Sequence, residues 1–150
     1  MSSPATEIDA TMLLCDAAQA VGGKLYVLGG GWSILTKVQP RANMSLAVKL
    51  AVPWSRANEP IQIEAALVTD QGHEVTQTGE QGELPVRAEG NLEVGRPPGL
   101  RHGTPLDATF VLNFEGLDLD PGGYVWELRA GGEPAARVPF QVITQPGVPT

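Results

Sequence analysis

The sequence predicts an all-β fold: a single antiparallel two-sheet β-sandwich, immunoglobulin-like or jelly-roll-like, of about eight or nine short strands. Three observations predict it. Apolar side chains recur at every second position through most of the chain, the period of a strand with one face on a core. Glycine and proline, 18 and 13 of 150 residues, punctuate these runs rather than pooling in one segment. The runs recur at the short spacing of a sandwich or barrel. A flattened barrel is the runner-up.

The elements follow in order. Residues 1–9 are small and polar and are expected to form a flexible tail, ahead of a domain over residues 10–144. Thr11–Ala17 reads as a strand buried on both faces, with Met12 and Leu14 opposite Leu13 and Cys15. A helix over Met12–Val21 competes, with Thr11 as N-cap and Gly22 as C′ residue. The strand reading is favoured. Lys24–Leu28 and Trp32–Val38 follow, so that Thr11 to Val38 lies mid-sheet or forms a hairpin along an edge.

Alternation is clearest in Met44–Val52, where Met44, Leu46, Val48, Leu50 and Val52 oppose Ser45, Ala47, Lys49 and Ala51. Ile61–Thr69 repeats it, and Asp70-Gln71-Gly72 turns the chain into His73–Gln77. Leu84–Val94 reads as one strand. In Leu106–Phe114 the inner face is Leu106, Ala108, Phe110, Leu112 and Phe114. Tyr124, Trp126 and Leu128 alternate with Val125, Glu127 and Arg129, and Gly131-Gly132-Glu133 joins them to Val138, Phe140 and Val142. Residues 145–150 are expected to be a second flexible tail.

Composition narrows the function classes. A chain of this length suits one domain and buries a core without metals or disulfides. The net charge is −7 and the lysines Lys24, Lys37 and Lys49 are scattered, which argues against nucleic acid and anionic membranes as partners. Cys15 is the one cysteine, so no internal disulfide forms and a reducing, cytoplasmic location is expected. The start has neither a basic nor an apolar signal region, and no apolar run approaches the ~18 residues of a membrane span.

The segments DAAQAVGGKLYVLGGGWSIL, AVPW at Ala51–Trp54, VGRPPG at Val94–Gly99 and LDPGGYVWEL at Leu119–Leu128 carry a resemblance. Together they resemble a family of small, uncharacterised bacterial proteins classed as a domain of unknown function. The resemblance runs from about Met12 to Val142. It implies a compact β domain of the sandwich type and supplies no activity, cofactor or catalytic residue.

The candidate binding residues fall in three places. Gly29, Gly30 and Gly31 run into Trp32, which suits either a backbone nest with a stacking ring or a bulge beside a core tryptophan. The loop Gly95-Arg96-Pro97-Pro98-Gly99 leads to Arg101 and His102, a basic set in an acidic chain that suits a carboxylate, a phosphate or an acidic partner patch. Trp54, after Pro53, suits a cap on the fold or an exposed anchor. Glu115, Asp118 and Asp120 read as strand-end and turn chemistry rather than a calcium site. His73, His102 and Cys15 lack zinc spacing, and Cys15 with a histidine base is an unsupported nucleophile pair. No catalytic residue, metal or cofactor is assigned.

The function expected is a non-catalytic binding or protein-interaction module presenting loops on a rigid frame, with a protein partner or self-association. The alternatives are a structural subunit of a homo-oligomeric or phage-like particle, and a hydrolase whose site is built from distant residues.

Overall fold

The computed structural model describes residues 7–144, and the fold is all-β. Eleven strands occur among the described residues: β1 (Asp9–Val21), β2 (Lys24–Gly30), β3 (Ile34–Lys37), β4 (Ala42–Val52), β5 (Ile61–Thr69), β6 (Thr76–Gly79), β7 (Gly82–Pro85), β8 (Arg87–Leu92), β9 (Leu106–Leu117), β10 (Gly122–Ala130) and β11 (Glu133–Thr144). They form a four-stranded sheet ordered β2-β1-β4-β9, a five-stranded sheet ordered β3-β11-β10-β5-β8, and the hairpin β6-β7. The expected tails over residues 1–6 and 145–150 lie outside the described residues.

The expectation of eight or nine strands in two antiparallel sheets is corrected in three respects: the strand number, the third sheet, and a parallel pair. The run Leu84–Val94 does not make one strand. Pro85 ends β7, and Val86 turns into the core, donating its N–H to the Val75 carbonyl and accepting from Leu67 N–H. The run His73–Gln77 likewise gives way to a short hairpin, in which Thr76 and Thr78 hydroxyls both donate to Glu83 at 2.6 Å. Strand β3 runs parallel to β11 because the chain leaves the first sheet at Gly31 and enters the second alongside it.

The helix alternative over Met12–Val21 does not form. Gly22 and Gly23 both take positive φ, 58° and 76°. That pair makes the two-residue turn whose twist matches a hairpin, whereas a helix end needs one such residue. Ala17–Val21 therefore pairs with Lys24–Leu28. Other boundaries move modestly: Trp32–Val38 shortens to Ile34–Lys37, and Leu106–Phe114 lengthens to Leu117.

One core joins the two larger sheets. Leu46, Val48 and Leu50 of β4 pack with Ile61, Ile63 and Leu67 of β5 and with Tyr124, Trp126 and Leu128 of β10. Trp126 is fully buried, its ring centroid 4.2 Å from that of Phe114, and its indole N–H donates to Met44 Sδ at 3.4 Å. Phe114 and Met44 belong to the other sheet, so this contact bolts the layers together. The four-stranded sheet curls until β2 and β9 come within 8 Å at Cα. On its second face, expected to meet water, Ser45 and Ala47 are buried together with Cys15. The Ser45 hydroxyl donates to Asn113 Oδ1 at 2.6 Å, which satisfies it there. No helix among the described residues is long and apolar enough to cross a membrane.

Candidate functional site

The first surface is built where β4 ends. Pro53 fixes φ at −57° and starts a single 3-10 turn, Trp54–Arg56. The loop after β8 returns to this turn: Asn58 N–H donates to the Val94 carbonyl at 2.8 Å. Arg96 then lays its guanidinium 4.4 Å above the Trp54 ring centroid and donates twice to the Trp54 carbonyl, at 2.7 Å from Nη2 and 3.3 Å from Nε. His102 meets the same ring edge-on at 5.1 Å. Two candidate residues of one loop, Arg96 and His102, are thus gathered around a third, Trp54, more than 40 positions earlier in the chain. Arg101 stays outside and exposed, its carbonyl capping the turn to Thr104. The indole Nε1 of Trp54 is buried without a hydrogen-bond partner among the described residues. Much of Arg96 is already engaged, so the cluster serves as a brace on the loop.

The glycine triplet stands at the foot of the β1–β2 hairpin. Gly29 has φ 59°, and a Cβ there would lie 2.2 Å from an Asp16 carboxylate oxygen. A Cβ on Gly30 would lie 2.7 Å from Val27 Cγ1 and 2.8 Å from Leu13 Cδ2. Gly31 donates its N–H to the Leu14 carbonyl at 2.8 Å, and Trp32 crosses to pack edge-on against Phe140 at 5.9 Å. The Trp32 Nε1 is also buried and unpartnered among the described residues. The triplet lets two strands close tightly and the chain change sheets.

The sequence left this region either mid-sheet or a hairpin along an edge; the structure makes it a hairpin, whose surface the sequence reading missed. β1 pairs with β4 only from Asp9 to Cys15, and beyond Cys15 it pairs with β2 alone. Residues 16–29 therefore form a two-stranded arm. None of its side chains is buried or packed against the core, although Val21, Tyr26 and Leu28 are large and Leu28 is 71% exposed. Leu13, at its base, is exposed as well. The signal was available in the Gly22-Gly23 turn and in apolar residues on both faces.

A second missed surface lies between β8 and β9, each the last strand of its sheet. A groove of about 620 Å³ is lined by Leu92, Pro97, Leu100, Leu106, Ala108 and Phe110. It adjoins a smaller one of about 200 Å³ that reaches Ala88 and Leu112. Ala108, Phe110 and Leu112, read as fully inner positions, are only half-buried because they face this opening.

The remaining candidates are dispersed. Cys15 is fully buried and its thiol donates to the Ser45 carbonyl at 3.4 Å. Burial first, and then the charge of Asp16, push its pKa up, which keeps the thiol protonated. His73 sits in the β5–β6 turn, its N–H bonded to Thr69 Oγ1. Asp118 pairs with Lys37 at 3.6 Å, and the Asp120 carbonyl accepts from the Tyr124 hydroxyl at 2.7 Å. Among the described residues no group of three or more His, Cys, Asp or Glu is placed to hold a metal ion.

Fold and surfaces define an all-β protein with one core, an apolar hairpin arm and an open seam between two sheet edges. The chain belongs to a family of unknown function (DUF6941), whose pattern matches residues 10–143. No curated protein matches it. Among solved structures it is similar to Pseudomonas fluorescens alkylpurine DNA glycosylase AlkC bound to DNA containing an abasic site analog, at 13% identity and a TM-score of 0.47. The similarity covers 91% of this chain and 30% of that one. It carries no inference about nucleic acid.

Proposed function

We propose that the chain is a non-catalytic protein-interaction module that docks through its hairpin arm. The exposure of Val21, Tyr26 and Leu28 outside the core is the observation that carries this reading. An isolated two-stranded hairpin is marginal in water, and exposed apolar area costs roughly 25 cal/mol per Å² that a covering surface recovers. The all-β frame holds the arm at its base, where Gly29 and Gly30 admit close packing. The Trp54–Arg96–His102 brace supports the loop that lines the groove. The hydrolase alternative has less support, since its nucleophile candidate Cys15 is buried and protonated.

The test is photo-crosslinking in cells, with benzoylphenylalanine in place of Tyr26 and, as control, of exposed Arg137 on β11. A discrete protein adduct from position 26 and none from 137 is expected. Absence of any adduct at position 26 overturns the reading.

A further inference from the structure

We infer that the arm's partner is a second copy of this chain and that its seat is the groove between β8 and β9. This rests on the arm being a docking element. The two surfaces are complementary in length, polarity and charge.

Each arm strand contributes six residues, Asp16–Val21 and Lys24–Gly29, about 20 Å at ~3.4 Å per residue. The groove wall Leu106–Leu112 runs about 24 Å by the same rise. The arm offers Tyr26, Leu28 and Val21, and the groove offers Leu92, Leu100 and Phe110. Lys24, at the tip, is the arm's one cation and has no anionic partner among the described residues. The groove rim carries Glu93, equally unpaired among the described residues, whereas its neighbours Glu89 and Asp107 are already paired with Arg87 and Lys49. Strands β8 and β9 also leave rows of backbone donors and acceptors open along the seam, ready for an added strand.

Arm and groove are different patches, so the contact is heterologous. Such a contact closes into a ring or runs on as an open chain. A subunit of a ring or a filament is joined by contacts of this kind.

Sedimentation velocity with paired variants tests this. The wild type is expected to associate as concentration rises. Y26K/L28K alters the arm, and L100E alters an exposed groove residue, so neither touches the core. Each alone is expected to be monomeric with an unchanged circular dichroism spectrum. Mixed, they are expected to form a one-to-one dimer and nothing larger, because one supplies an intact groove and the other an intact arm. A mixture that stays monomeric while the wild type associates overturns the arm-in-groove contact. A monomeric wild type, with position-26 adducts to a different protein only, overturns the second copy and leaves the interaction module standing. Loss of all adducts removes both.

Discussion

Strand β5 and the distal half of β1 are both rich in alanine and aliphatic residues, yet they meet opposite fates. β5 lies between β10 and β8, and its Ile61, Ile63, Ala65 and Leu67 are buried under the facing sheet. Residues 16–21 of β1 pair only with β2, and among the described residues none of their side chains packs against the core. Alternation or doubled apolarity states how much surface a strand has to bury. It does not state what will bury it. In β5 the cover comes from the same chain; in the arm, under the proposal above, a second copy supplies it.

The sharpest way to break this comparison is at the bolt between sheets. Trp126→Ala empties a fully buried site touching Phe114 and Met44. It is expected to cost about 3–5 kcal/mol, read from urea unfolding. A loss below about 1 kcal/mol would mean that the sheets are not held together through this ring.

The same contrast explains what the sequence disclosed. Period-two runs such as Ile61–Leu67 named their strands and inner faces because burial and alternation coincide there. The edges were less legible. Phe110 and Leu112 alternate as well as Leu50 does, and only the strand order shows that β9 ends its sheet. Pro85 was visible but not its consequence, since the position of Val86 depends on partners from Leu67 and Val75. The parallel pairing of β3 left no local mark at all. Of the site residues, Arg96 and His102 were named together as part of one basic loop, and Trp54 was named apart from them. Their meeting needs the loop after β8 to fold back on the turn after β4, a long-range contact that no spacing encodes.

A smaller effect is expected at the boundary between the two regimes. Gly30 faces Cys15 across the strand pair, and any Cβ there meets methyl groups of Val27 and Leu13. Gly30→Val is expected to cost about 1–3 kcal/mol by overpacking. Alkylation of Cys15 gives a local reading, because burial holds this thiol unreactive in the native chain. The variant is expected to label faster at equal denaturant. Equal labelling rates would place the arm's base outside the cooperative unit that contains Cys15.

Next in size is the brace. Arg96→Ala removes the guanidinium over Trp54 and two donations to its carbonyl. The site is exposed, so about 1 kcal/mol is expected. A double-mutant cycle with Trp54→Leu isolates the pair term, and a cycle that sums without coupling would show that Arg96 and Trp54 stabilise the fold independently.

The smallest effect belongs to the arm itself. Leu28 lies outside the core, so Leu28→Ser at dilutions where the chain is monomeric is expected to change stability by no more than about 0.5 kcal/mol. At higher concentration the difference from wild type should widen, because association through the arm stabilises only the folded wild type by mass action. Urea midpoints measured across a concentration series separate the two cases. A large loss at dilution would place Leu28 among the side chains that hold the monomer together, and the arm would then be part of the fold rather than its offered surface.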